Sequence, residues 1–366
     1  MPQSWVGCLK GDLDTPALCV DLDGLQANIR KISSMCAVHG VAWRPHAKGH
    51  KCPAIAHEQR LAGAIGATCA KLGEAEVLAQ AGVRDLLVAN LVVGERKWER
   101  VAALTRWADP IITVDHYVQA EGLSRVCRAR GTKVRVIIEV DIGLDRVGVT
   151  PGRDTLELAQ AIDRLPGLKL AGIMGYEGHL LKIPDLVEKE RRIGEAIGTL
   201  VGCKDQLLAA GLCCDIVSCG GTGSLPWTVK CPGITEVQAG GGIFMDGMYS
   251  EKCHVEGLVH CLSVLATVVS RPKRSKAYID LGRKSINAEL GPARVKGFPD
   301  AEVRVQSAEH CELVLGPESE RLAIGDRVEL FVGYHDWTVV LHDEFHGFRG
   351  DRLEVVWPIL ARGALQ

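Results

Sequence analysis

The chain has 366 residues, 47% of them apolar, with 43 Lys and Arg against 45 Asp and Glu for a formal net charge of −2. That size and apolar content suffice for a sizeable core, and basic residues scattered rather than blocked exclude a nucleic-acid binder working through phosphate neutralisation. No window of about 18 apolar residues exists, so a transmembrane helix is excluded, and the opening MPQSWVGCLKGDLDTP lacks the basic-then-apolar order of a secretory signal. A cytoplasmic protein with neither nucleic acid nor membrane as partner is expected.

Short apolar runs alternate with helical patterns through most of the chain. The expected strands, in chain order, are VAWRPHA (41–47), ATCAK (67–71), DLLVAN (85–90), PIITVD (110–115), VRVIIEVD (134–141), LAGIMGY (170–176), DIVSCG (215–220) and TEVQAG (235–240). Helical spacing fills the gaps, as in GEAEVLAQAG (73–82), ERKWERVAALTRWA (95–108) and the long stretch 182–211. Unbroken apolar strands alternating with amphipathic helices predict a parallel sheet covered by helices, and eight such units fit a (β/α)8 TIM-like barrel; an open doubly wound sheet is the alternative. Beyond about residue 258 the rhythm changes. LSVLATVVSRP, KAYIDLG, RLAIGDRVELFVG, TVVLHDEFHGF and RLEVVWPI read as strands with almost no helix. The expected organisation is a barrel over 22–258 and a C-terminal all-β domain formed by 259–366 with residues 1–21, although the opening strand TPALCVDL could pair with either part.

Fourteen cysteines are present, with no C-x-x-C pair. Zinc-ribbon and thioredoxin-type readings therefore lose their main support, and most of the cysteines are expected to pack as small buried hydrophobes, without disulfides.

Lys48, in WRPHAKGHK, follows the first barrel strand, where barrel chemistry is expected. A lysine there can act as a nucleophile toward an aldehyde, or can be an ordinary surface lysine. Two glycine turns bear on the choice: CGGTGS (219–224) follows the seventh strand and AGGG (239–242) the eighth. Loops at these two places are the usual phosphate site of such barrels, although either alone could be a turn that merely needs positive φ. Together with Lys48 they suggest a phosphorylated aldehyde cofactor, pyridoxal 5′-phosphate.

The stretches DTPALCVDLDGLQANI, RPHAKGHKCPAIA, CAKLGEAEVLAQAGV, EVDIGLDRVGV, GIMGYEGHL, VSCGGTG, EVQAGGGIFMD and VVLHDEFHGF…EVVWPILARG run in order from about residue 12 to 363. On these the chain resembles the D-threonine aldolase and D-serine dehydratase family, pyridoxal-phosphate enzymes of the alanine-racemase-like fold type III. The resemblance implies a barrel plus a β-domain, and a homodimer acting on a small amino acid at a site between subunits. It matches Lys48 to the lysine that takes the cofactor aldehyde and Arg146 to an arginine near the cofactor phenolate. Tyr176 and His179 match residues lining the cofactor, while Gly221, Thr222, Gly223, Gly240 and Gly241 would hold its phosphate. Gln238 stands where related racemases place an arginine facing the pyridine nitrogen. Arg146 could instead be a surface ion pair, and His179 a structural histidine.

One departure concerns a divalent cation that the resemblance places on a His-x-Asp or His-x-Cys pair. In GYHDWTVVLHDEF, Asp336 takes the acidic position, Tyr334 takes the histidine position, and His335 stands between them. Read as a strand, His335 and Asp336 point to opposite faces and share a metal only across a bulge. Either His335 and Asp336 bind Mn2+ or Mg2+, or the metal is lost and Tyr334 serves as a polar or acid/base group. The resemblance implies a lyase acting on D-configured β-hydroxy amino acids, by retro-aldol cleavage to glycine and an aldehyde. The alternatives are a D-serine or 3-hydroxy-D-aspartate type dehydratase giving a keto acid and ammonia, an amino-acid racemase, and a non-catalytic cofactor-binding protein.

Overall fold

Residues 5–366 are described by a computed structural model; residues 1–4 of the expected β-domain segment lie outside them. The chain separates into two compact units, one of Ile32–Gly240 with Gly363–Gln366, the other of Met1–Lys31 with Gly241–Arg362.

In the first unit eight strands, all paired in parallel, alternate with helices: Ala42–Trp43, Ala67–Cys69, Asp85–Leu91, Asp109–Val114, Val134–Glu139, Leu168–Met174, Ile216–Cys219 and Glu236–Val237. The first pairs with the eighth, and a parallel bridge between His46 and Thr68 joins the first strand's continuation to the second, so the sheet closes into the (β/α)8 barrel. Continuous apolar runs produce this arrangement because a parallel strand is covered on both faces. In Val134–Glu139 every residue but Arg135 is buried, and in Leu168–Met174 every residue but Lys169. The covering helices bury one stripe each, as in Glu95–Leu104 through Trp98, Val101, Ala102 and Leu104. The longest, Leu186–Ala209, starts where Asp185 accepts the amides of Val187 and Glu188.

The barrel also buries a charge. Arg44, 2% exposed, donates through Nε to both carboxylate oxygens of Glu236 at 3.0 Å and lies 2.9 Å from Asp85 through Nη1. Burial opposes the charge of Asp85, but Arg44 and then Arg135 outweigh it and hold its carboxyl below the usual range. Arg44→Met removes one side of this cluster and strands the buried Glu236, so we expect it to destabilise the protein by about 3–5 kcal/mol in urea unfolding at pH 7. Because the Asp85 pKa is depressed, its share is complete above about pH 5 and is lost as pH falls through the lowered folded value. A loss below about 1 kcal/mol at pH 7, within the range of a surface pair, would refute this account.

The second unit is built on a mostly antiparallel sheet. Its strands run in the order Glu302–Gln306, Cys311–Val314, Lys276–Ile279, Leu262–Lys273, Ala17–Asp21, Glu344–Arg349, Arg352–Pro358. Arg327–Phe331 also pairs with Leu262–Lys273 and carries Arg294–Val295 beside it. The opening strand therefore belongs here, antiparallel to Leu262–Lys273 and parallel to Glu344–Arg349. From the following helix, Leu22–Val38, Asn28 donates to the carbonyls of Ile243 and Val259 and accepts the Val259 amide, which ties residues 22–31 to this unit.

One expected strand is corrected. Residues His335–Val339 form a short helix, and the strand begins only at Glu344. Thr338, Val339 and Val340 favour a strand by side-chain shape. The Asp246 carboxylate overrides that preference by accepting the His335 amide at the start of the helix.

All fourteen cysteines are unpaired, and only Cys8, Cys213 and Cys231 are not fully buried. Burial pushes the Cys52 thiol up to about 11, those of Cys19 and Cys69 up to about 12, and that of Cys219 well above the ordinary value. Because the thiolate is the reactive form, a thiol-titrating disulfide reagent at pH 7.5 should modify no more than those three in the native protein and fourteen after denaturation. Rapid native reaction of a larger number would contradict the packing role.

Candidate active site

The C-terminal ends of parallel barrel strands share one mouth, and the barrel unit's candidate residues all lie in loops that follow strand ends. Lys48 is half-buried on the turn Ala47–Gly49, which begins where the Lys48 amide donates to His46 Nδ1 at 3.3 Å. His46 is itself held by its backbone amide on the Gln238 carbonyl at 3.0 Å, next to Gly240. A Cβ at Gly240 would collide with the His46 carbonyl, so only glycine permits this approach of the loops after the first and eighth strands.

After the fifth strand, Asp141 accepts the amides of Gly143 and Asp145 and folds the DIGLDR loop back. This sets the Arg146 guanidinium 6.0 Å from the centre of the Tyr176 ring and 3.6 Å from Glu139. Arg146 remains 57% exposed, whereas Glu139 is buried, and burial raises the Glu139 pKa against the opposing charge of Arg146. Tyr176 packs between two glycines: a Cβ at Gly178 would meet its ring at 2.6 Å and one at Gly221 at 3.1 Å. His179 lies against Gly143, 3.1 Å from where a Cβ would stand, and burial followed by the charge of Arg192 lowers its pKa. Neutral imidazole is thus its form at pH 7.

The turn after the seventh strand contains Gly220 at φ +76°, Gly221, buried Thr222 and Gly223. Gln238 is buried and its amide donates to Ser218 Oγ at 2.9 Å, so it brings no charge to its surroundings. The loops at these strand ends thus carry a lysine, an arginine beside a tyrosine ring, and glycine turns that approach other loops closely. Such a cradle fits a flat phosphorylated aldehyde.

In the β-unit, His335 is fully buried and donates through Nδ1 to Asp246 Oδ2 at 2.5 Å, while Asp246 Oδ1 accepts the Tyr249 amide. This leaves His335 Nε2 without a hydrogen bond of acceptable geometry, although Asp336 Oδ1 lies 3.0 Å away. Burial works against a charge on His335, but Asp336 and Asp246 outweigh it and raise its pKa to about 9. The short helix accounts for the convergence. Successive residues of a helix are about 100° apart rather than opposed, so both side chains reach one point and no bulge is needed. Two ligands held at 2.0–2.2 Å from a metal at a right angle stand about 3 Å apart, and an imidazole whose second nitrogen donates to a carboxylate is the usual metal-ligand arrangement. The donor pair fits a hard divalent cation, although among the described residues no group of three His, Cys, Asp or Glu side chains forms a ready cage. Tyr334 is buried, its ring 5.7 Å from His335 and 5.5 Å from Trp337. Gly241 touches this group, since a Cβ there would meet Tyr249 at 2.6 Å and His335 at 2.7 Å.

Comparison with known proteins gives these arrangements a context. Residues 20–247 match the family model "Alanine racemase, N-terminal domain", and residues 261–348 match "Putative serine dehydratase domain". A D-threonine aldolase of an Arthrobacter species is 35% identical over 96% of this chain and 93% of its own. A 3-hydroxy-D-aspartate aldolase of Paracoccus denitrificans is 32% identical over 98% and 94%. The crystal structure of D-threonine aldolase from Filomicrobium marinum superposes with a TM-score of 0.96 at 34% identity, covering 99% of this chain and 98% of that one. The chain belongs to the D-threonine aldolase and D-serine dehydratase family of alanine-racemase-like proteins. Within that family it is a lyase of the aldolase kind.

Sequence reasoning overlooked two acidic residues inside the family's motifs. Glu177, inside GYEGH, and Asp246, inside IFMD, are both fully buried acceptors. Tyr176 and His179 carry the cofactor resemblance on either side of Glu177, while a carboxylate that serves backbone and hydroxyl donors far along the chain leaves no spacing to read. Among the described residues no helix is long and apolar enough to cross a membrane.

Proposed function

We propose that this protein cleaves D-configured β-hydroxy amino acids by a retro-aldol reaction, giving glycine and an aldehyde. The observation that carries the proposal is Lys48 on a turn at the barrel mouth, in a unit whose glycine turns leave backbone for an anion. Pyridoxal 5′-phosphate, when bound, supplies the aldehyde for an amine and an electron sink for the bond broken at Cα. Lys48 offers that amine, and Thr222 with Gly221, Gly223 and Gly240 offers contacts for the phosphate. Arg146 and Tyr176 supply a cation and an aromatic face beside each other, suited to a planar, partly anionic ring. Gln238 stays neutral, so a pyridine nitrogen beside it gains no proton from an acid, and the burden of stabilising negative charge shifts to other groups. His335 and Asp336 would hold Mn2+ or Mg2+, with Asp246 orienting the imidazole, and the cation would polarise the substrate β-hydroxyl.

A second reading, dehydration to a keto acid and ammonia, is favoured by the serine dehydratase domain matched at residues 261–348. Asp336 in the acidic ligand position, rather than Cys, favours the aldolase. Fourteen unpaired cysteines suit a reducing compartment, so the proposed setting is the cytoplasm, and the family resemblance makes a homodimer the proposed assembly. Incubation with D-threonine and D-serine separates the chemistries. Glycine with acetaldehyde is expected. Keto acid as the main product would establish the dehydratase, an L-enantiomer the racemase, and no turnover of either amino acid would leave a binding role.

A further inference from the structure

The proposed chemistry leaves one wholly buried carboxylate of the barrel unit without a part. Glu177 has no exposed surface. Its Oε1 accepts from Ser224 Oγ at 2.6 Å and from Thr228 Oγ1 at 2.7 Å, and its Oε2 accepts from the Gly220 amide at 3.2 Å. Ser224 Oγ, having given its proton to Glu177, accepts the Gly221 amide at 3.1 Å. One carboxylate therefore gathers both ends of the glycine turn after the seventh barrel strand and fixes the direction of a hydrogen-bond chain through it. Gly220 sits at φ +76°, a conformation that glycine adopts readily and other residues rarely, so the turn bends there and brings the Gly220 amide to the carboxylate. A buried carboxylate is costly unless its oxygens are satisfied, and here three donors satisfy it.

We infer that Glu177 is a positioning residue for phosphate recognition: it holds the turn of residues 219–224 in the form that presents Thr222 and backbone amides to the cofactor phosphate. The inference rests on the cofactor reading above. It separates Glu177 from groups that touch the cofactor, because a carboxylate facing a phosphate would repel it, whereas this one is spent on the turn itself. A residue acting this way matters for a ligand that carries the phosphate and not for the same ligand without it.

The test compares binding of pyridoxal 5′-phosphate with binding of pyridoxal, which lacks the phosphate, to protein stripped of cofactor, read by the visible absorbance of the lysine-bound form. Glu177→Ala should weaken the phosphorylated ligand tenfold or more while pyridoxal binding changes less than about twofold. Glu177→Gln keeps an oxygen for both hydroxyls but turns an amino group toward the Gly220 amide, so a loss of roughly threefold is expected. Thr228→Val removes one donor while keeping the shape of the side chain, and should show the same selective loss even if Glu177→Ala does not fold. Equal weakening of both ligands, or no weakening of either in these variants, overturns the inference. Wild-type protein that takes up neither ligand at Lys48 would instead overturn the cofactor reading, and the inference with it.

Discussion

Lys48→Ala should abolish turnover of D-threonine and, in the same sample, the visible absorbance that pyridoxal 5′-phosphate gives when joined to a lysine. The magnitude follows from what the residue supplies. In the proposed reading it is the amine that would covalently receive the aldehyde, and an amine or base at that position is worth on the order of 10²–10⁴ in rate by itself. Loss of both covalent attachment and proton handling places the expected fall in kcat/KM at about 10³-fold or more. Lys51, three residues on, controls for specificity because it is buried in an ion pair with Glu74 rather than half-buried on the Lys48 turn. Lys51→Met should damage stability while leaving the absorbance of folded protein in place. If Lys48→Ala retains the absorbance and Lys51→Met loses it, the lysine assignment is wrong.

If His335 and Asp336 hold a divalent cation as proposed, its removal is expected to have the second largest effect on activity. A cation acting on a hydroxyl oxygen contributes several kcal/mol of charge stabilisation, and each 1.36 kcal/mol is tenfold in rate, so protein treated with EDTA should lose about 10²–10³-fold. Manganese should restore it. Asp336→Ala should lower the metal content measured by elemental analysis. Asp246→Asn should lower it less, since the imidazole keeps its place but loses the carboxylate that fixes which nitrogen carries the proton. His335→Ala removes a buried side chain packed beside Phe244 and Tyr249 and so confounds metal loss with instability. Full turnover by metal-free protein would move the hydroxyl chemistry to another group, with Tyr334 the first to test by Tyr334→Phe.

The barrel was legible because its physics is local. Runs such as Val134–Glu139 and Leu168–Met174 are mostly apolar yet too short for a buried helix, which leaves a strand covered on both sides. The β-unit's strands were also visible, since alternation and turn residues mark them. What escaped the sequence depends on partners far along the chain. Thr338, Val339 and Val340 argue for a strand, and only Asp246, about ninety residues earlier, makes the helix of His335–Val339 the better outcome. The expected conflict between His335 and Asp336 was a consequence of that assignment and vanishes with it. Glu177 escaped for the same reason, being defined by Gly220, Ser224 and Thr228 rather than by its neighbours in sequence.

The strand Ala17–Asp21 lies between Leu262–Lys273 and Glu344–Arg349, both of which are synthesised more than two hundred residues after it. Emerging from a ribosome, it finds neither neighbour until the whole of Ile32–Gly240 has been made. The barrel can therefore consolidate as a unit while an apolar segment with buried Ala17, Leu18, Cys19 and Val20 waits unpaired. This is a long-lived unpaired strand in a nascent chain, the situation in which chaperones are recruited and in which truncated products stick together. Chains arrested near residue 250 should accordingly be far more prone to aggregation than the finished protein, with Ala17–Val20 as the adhesive segment.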